Sequence, residues 1–308
     1  GLTAKKFEML SYYSDDKVDG DGVAFLTPPG VLPPSETEGH GELVVQGKCF
    51  SNVPDLVTDY VGRPKLEEDL KKLLLDDKRP IVTLVGRGGI GKTSLALKVI
   101  QGLCEKERYE VIVWLSARDV DLQFTGPKPV RPLVLSPDDM STFYASLVLP
   151  FAKATAKGFN ARAFFEQQLQ KCESGTCLFV FDNFETTENP VEMFNWIDSF
   201  IRLPNKALIT TRLREFRGDY PVDVSGMEDK ESRLLIAQTA AWLNVSELID
   251  AEYVSKLVAL SEGHPYVIKV LLGEVAKLRR AADIQQLLGR SEDILTALFE
   301  RTYVALSP

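Results

Sequence analysis

Residues Gly86-Arg87-Gly88-Gly89-Ile90-Gly91-Lys92-Thr93 fit the pattern GxxxxGK[ST] in full. The spacing has a mechanism. Glycines let the chain wrap tightly, so consecutive backbone N–H groups converge on phosphate oxygens. A helix that starts there adds the positive end of its dipole. Lys92 supplies a point charge for the β and γ phosphates, and Thr93 offers a hydroxyl to Mg2+. Ser94 falls within reach of the α phosphate. Such a loop needs a buried strand before it and a helix after it. RPIVTLVG (79–86) and TSLALKVIQGL (93–103) meet both needs.

The chemistry also requires a carboxylate at the end of a buried strand. CLFVFD (177–182) ends on Asp182, placed to hold the water shell of Mg2+. Asn183 follows, where an acid would polarise an attacking water, and an amide cannot take that proton. Glu185 is the nearest carboxylate to serve instead, so hydrolysis is expected to be slow. KALITT (206–211) runs into Arg212, a cation suited to sensing the γ phosphate by charge-assisted bonds.

Elements that could position these groups follow from periodicity. VIVWLSA (111–117) is a further buried strand, and YPVDVSG (220–226) holds a short fifth one. The spacing predicts helices over 65–77, 162–172 and 191–201. Solid apolar strands alternating with helices predict a three-layer αβα fold around a parallel five-stranded sheet. From 227 onward only helical patterns remain, over 229–243, 250–263, 265–278, 283–289 and 292–306.

Residues 1–55 read differently. Over 1–50 there are eight acidic residues against four lysines, and TPPGVLPPSETEGHGE (27–42) is rich in Pro and Gly. The segment is expected to be a linker with one strand, ELVVQG. VDGDG (18–22) lacks the remaining ligand positions of a calcium loop. FTGPKPVRPLVLSPDDM (124–140) is expected to be a tolerated surface loop, and LVLPFA (147–152) a core-sized apolar run.

Composition excludes other classes. Acidic residues outnumber basic ones 44 to 36 over 308 residues, the wrong balance for a protein that coats nucleic acid. No apolar run reaches the ~18 residues of a membrane span. Cys49, Cys104, Cys172 and Cys177 form no CxxC pair, which reads as buried thiols in a reducing cytoplasm. The chain opens on Gly and stops at ALSP, which reads as a piece of a longer protein.

Taken together, the motifs resemble the NB-ARC group of STAND ATPases. Tyr60-Val61-Gly62-Arg63 before a helix resembles their hhGR segment. LFVFDNFE is similar to their Walker B strand, ITTR to their sensor motif, and Gly263-His264-Pro265 to their GxP motif. VSGMEDKESRLLIAQ resembles the stretch that leads into their helical subdomain, and the likeness spans about residues 58–306. Pro64 stands where the group often has Glu.

The resemblance implies a P-loop nucleotide-binding domain over 56–226, a helical lid over 227–290 and the start of a winged-helix subdomain over 291–308. It implies that Gly86, Gly88, Gly89, Ile90, Gly91, Lys92, Thr93 and Ser94 hold the phosphates of ATP or ADP. Thr93 and Asp182 would hold Mg2+, Val61 and Arg63 would lie by the adenine and ribose, and Pro265 would pack on the base. Such proteins act as switches: ADP holds a closed state, ATP opens it and permits self-association, and effector and sensor domains flank the module. Signal transduction or defence against phage is the implied role. Two other readings remain at this stage. One is a motor ATPase, with Arg214, Arg217 or Arg233 as a finger. The other is the ATPase module of a transcription regulator.

Overall fold

A computed structural model describes residues 32–56, 59–123, 126–171, 175–216, 218, 220–281 and 284. The strands are β1 (Val44–Gln46), β2 (Cys49–Ser51), β3 (Ile81–Val85), β4 (Val111–Ser116), β5 (Val120–Gln123), β6 (Gly126–Pro129), β7 (Cys177–Asp182), β8 (Lys206–Thr211) and β9 (Tyr220–Asp223). The main sheet runs β1-β2-β4-β7-β8-β3-β9, and all its pairs are parallel except β1 with β2. All five apolar runs read from the sequence are in it. The sheet is nonetheless seven-stranded rather than five-stranded. Gly47, at φ +57, turns ELVVQG back on itself, and the short return strand Cys49–Ser51 joins the edge of β4. Each added strand has three residues, too few to show a period.

Both faces of the sheet are covered, as the solid apolar runs require. Val82, Leu84, Ile112, Trp114, Leu178 and Val180 point to one side. There they meet α1 (Pro64–Leu75) and α2 (Lys92–Cys104), through residues such as Leu70, Leu74, Leu95 and Ile100. The alternate residues Ile81, Val113, Phe179, Phe181 and Ile209 point the other way. They meet α3 (Pro137–Val148), α5 (Ala161–Lys171) and α6 (Pro190–Phe200); a single turn, α4 (Phe151–Ala154), links α3 to α5. The period of two along each strand sorts its side chains into two cores.

Three expectations need correction. Residues 32–55 are no simple linker. Ser35 Oγ and the Glu36 N–H donate to Asp121 at 2.7 and 2.9 Å, and Trp114 Nε1 donates to the Thr37 carbonyl at 3.0 Å. Polar anchors hold this strap, and a scan for apolar period misses them. Second, 124–140 is not all loop. β5 and β6 form an antiparallel hairpin, Val130 and Val134 are buried, and α3 starts at Pro137 behind a Ser136–Asp139 capping box. Third, LVLPFA is not one continuous core run: Leu147 and Val148 pack against the core, whereas Phe151 is 82% exposed. The run breaks at Pro150, between two helices.

The lid consists of α7 (Asp229–Trp242), α8 (Ala251–Ser261) and α9 (Pro265–Leu278). Leu235, Ile236, Leu257, Ile268, Leu272 and Val275 form its own core. Ile284 joins that core; the other residues of the pattern over 283–289, and all of 291–308, lie outside the described residues, as do residues 1–31. Among the described residues no helix is long and apolar enough to cross a membrane. The Cys49, Cys104 and Cys177 thiols are buried, and Cys172 lies outside the described residues.

The edge of β4 depends on one side chain. Fully buried Asn52 accepts from the Trp114 N–H at 2.7 Å and donates to the Trp114 carbonyl at 3.0 Å, standing in for a strand partner. Asn52→Ala leaves both backbone groups unpaired in the interior, a loss of about 3 kcal/mol. A urea melt followed by tryptophan fluorescence should show the matching fall in midpoint; an unchanged midpoint would refute this role.

Candidate functional site

β3 delivers the chain into the 86–91 loop, and α2 begins at Lys92. The N-cap is Gly91 at φ 97, with no side chain bonded to the first turn. The turn's N–H groups therefore keep their capacity for an anion. Ile90 is buried and pins the loop to the sheet core. At Gly88 a Cβ would come within 2.8 Å of Arg212 Cζ, so the guanidinium lies directly against the loop. Lys92 Nζ donates to the carbonyls of Gly86 at 2.8 Å and Arg87 at 3.1 Å. Burial lowers its pKa to about 8, against the opposing pull of Glu185.

Asp182 is fully buried at the end of β7. Its Oδ1 accepts from Thr93 Oγ1 at 2.7 Å and from Thr210 Oγ1 at 2.8 Å. Its Oδ2 accepts from Arg118 Nη2 at 3.2 Å, and the same nitrogen donates to Thr93 Oγ1 at 2.6 Å. Thr93 and Asp182 thus meet as the sequence predicted. A hydroxyl and a carboxylate are hard oxygen donors, which fits Mg2+. Among the described residues no group of three or more His, Cys, Asp or Glu could cage a metal. The donor set therefore suits a cation that brings phosphate and water ligands with it. Thr93 and Asp182 would hold it there, and bound Mg2+ would neutralise phosphate charge.

Glu185 sits elsewhere than a base would. Its carboxylate accepts from the Arg212 N–H at 3.2 Å and pairs with Arg212 Nε at 2.9 Å, and it is not among the residues lining the cavity. It holds Arg212 in place. Asn183 does line the cavity, in a left-handed turn at φ 60, and its amide donates to Thr186 Oγ1.

The lid supplies the facing wall. His264 Nε2 lies 3.0 Å from the Gly88 carbonyl. Burial lowers the His264 pKa to about 4, so the ring is neutral near pH 7 and Nε2–H donates to that carbonyl. Pro265, Tyr266 and Lys269 line the cavity together with Gly88, Gly89, Gly91, Lys92, Thr93, Ser94 and Arg212. A Cβ on Gly89, at φ +74, would strike Tyr266 Cβ at 2.8 Å, so lid and loop touch closely. Leu122 of the β5–β6 hairpin packs on Tyr266 and Val270, and Lys269 pairs with Asp59.

Of the sequence-predicted residues, Gly86, Ile90, Asp182, Glu185, Val61 and Arg63 do not line this cavity. Val61 is sealed in the lid core. Arg63 donates to the carbonyls of Ser225 and Gly226 at 2.9 Å each and lies 3.4 Å from Glu231, tying α1 to the passage into the lid. The sequence reading missed Arg118, Asp121, Tyr266, Glu36 and Thr37, which all contribute to the cavity wall. Arg118 had a faint signal: it follows a buried strand, as Arg212 does.

A glycine loop between β3 and α2, with a buried carboxylate closing the neighbouring strands, defines a P-loop NTPase fold. A Walker-type ATPase of Pyrococcus abyssi shares it, with a TM-score of 0.53 at 16% identity over 82% of this chain and 77% of its own. Residues 63–150 match the NB-ARC domain family, so this part of the chain is similar to NB-ARC domains. A STAND protein with a tetratricopeptide repeat sensor from Pyrococcus horikoshii superposes with a TM-score of 0.47 at 20% identity, over 71% of this chain and 30% of its own. An uncharacterized WD repeat-containing protein of Nostoc sp. is 32% identical over 76 residues, 23% of this chain. The match spans only 6% of that curated relative.

Lys92 provides a direct test of the anion site. At pH 8 about half of these lysines are neutral, and an arriving phosphate favours the charged form. Calorimetry of ADP binding at pH 8, in buffers of different ionisation enthalpy, should report uptake approaching half a proton per nucleotide. No uptake at pH 8 would contradict the placement of Lys92 on the phosphates.

Proposed function

We propose that this chain is the ATP- and ADP-binding switch module of a STAND signalling or antiviral-defence protein, working in the cytoplasm. One observation carries the proposal: a single cavity takes one wall from the glycine loop and the other from the lid. Gly88 accepts from His264, and Pro265 and Tyr266 face Gly89 and Lys92 across the same space. A ligand lodged between two bodies biases their relative position, provided it binds one arrangement better. Arg212, packed on Gly88 and paired with Glu185, supports a role in telling ATP from ADP.

Slow hydrolysis of ATP to ADP and phosphate suits this arrangement. Asn183 cannot act as a base, and Glu185 is engaged by Arg212. In this reading Mg2+ binds with the nucleotide at Thr93 and Asp182, ADP favours the closed lid, and ATP favours self-association. Effector and sensor domains lie outside this chain.

Two outcomes are expected. Denatured protein should release ADP into the supernatant, detected by mass spectrometry, and turnover should stay well below one per second. Sustained turnover above that, without retained ADP, would favour a motor. Arg212→Ala should weaken ATP binding by about tenfold more than ADP binding, the effect of losing one charge-assisted contact. Equal losses for both nucleotides would remove Arg212 as the sensor.

A further inference from the structure

Arg118 is a cation in contact with both proposed magnesium ligands. Its Nη2 lies 2.6 Å from Thr93 Oγ1 and 3.2 Å from Asp182 Oδ2, and its Nη1 lies 3.8 Å from Asp121 Oδ1. Its Nε is buried without a hydrogen-bond partner. The guanidinium is therefore bonded on one edge and short of full bonding on the other. Asp182 gives its Oδ1 to two hydroxyls and its Oδ2 to Arg118.

We infer that Arg118 competes with Mg2+ for Thr93 and Asp182, and that Asp121 is the carboxylate that receives the guanidinium when the metal takes its place. The inference rests on the reading of Thr93 and Asp182 as the magnesium site. Two cations cannot share one carboxylate oxygen and one hydroxyl at these distances without strong repulsion. Asp121 is well placed to accept the displaced charge. It is buried, its carboxylate is held in a fixed orientation by Ser35 Oγ and the Glu36 N–H, and it is only 3.8 Å from Nη1. A shift of about an ångström brings that pair to hydrogen-bond distance. With metal-free nucleotide Arg118 stays on Thr93 and Asp182, where its charge helps to hold the phosphates. Arg118 thereby sets how much Mg2+ the site requires. The guanidinium's two positions also link the metal site to the strap, because the residues that orient Asp121 are Ser35 and Glu36.

A fluorescent ADP analogue, held at fixed low concentration with the full chain and titrated with MgCl2, tests this. In the wild type the bound fraction changes with Mg2+ at a half-saturating concentration that Arg118→Gln should lower by about tenfold. Asp121→Asn, which removes the receiving charge, should raise it. Asp182→Asn should abolish the response and reports on the site itself. If Asp182→Asn responds like the wild type, the magnesium site is misplaced. If Asp182→Asn loses the response but Arg118→Gln leaves the midpoint unchanged or raises it, the site stands and the competition does not. Should Arg118→Gln fail to fold by circular dichroism, Arg118→Lys in the same titration should shift the midpoint in the same direction, because an ammonium cannot span both ligands; no shift would overturn the inference.

Discussion

A carboxylate with no exposure to solvent sits at the carboxyl edge of the sheet, and its charge must be balanced. Asp182 achieves this with groups from three other places in the chain. Thr93 comes from the start of α2 after β3, Thr210 from the end of β8, and Arg118 from the turn after β4. The order β4-β7-β8-β3 makes these strands neighbours, so one buried charge draws together residues that are far apart in sequence. The phosphate loop is the outer rim of the same polar cluster. Lys92 folds back on the carbonyls of Gly86 and Arg87, and Arg212 covers Gly88.

The lid is coupled to this cluster through few contacts. His264 reaches the Gly88 carbonyl, Tyr266 donates to the Gln123 carbonyl, and Lys269 pairs with Asp59. The passage between the two bodies is tied down by Arg63 on Ser225 and Gly226, and by the Met227 N–H on the Gly263 carbonyl. A small, mostly polar junction beside a cavity can be rebalanced by a ligand that adds a few contacts to either side. The lid core, by contrast, is apolar, and it takes Val61 from the segment before α1 into its packing.

What could be read from the sequence follows from physical scale. Long apolar strands and the 3.6-residue period of α2 and α9 leave a strong signal, and the glycine loop requires a fixed order of residue types. Asp182 and Arg212 were legible because each ends a buried strand. The strap over 32–40 and the β5–β6 hairpin were not. They are held by Asp121, by the Thr37 carbonyl and by three- to four-residue pairings, none of which leaves a periodic pattern. Arg118 acts through tertiary contacts to Thr93 and Asp182, which no local rule reports. His264 was visible as the middle of a motif, yet its bond to Gly88 spans 176 positions. The placement of Val61 and Arg63 by the base came from family likeness; here Val61 belongs to the lid core and Arg63 to the passage beneath it.

Hydrogen–deuterium exchange with and without ADP tests the two-walled site most directly. If nucleotide is gripped between loop and lid, amides over 86–94 and over 264–270 should slow together, and Lys92→Ala should abolish both effects. Protection confined to 86–94, with the lid segment exchanging as it does without ADP, would contradict a cavity closed from both sides.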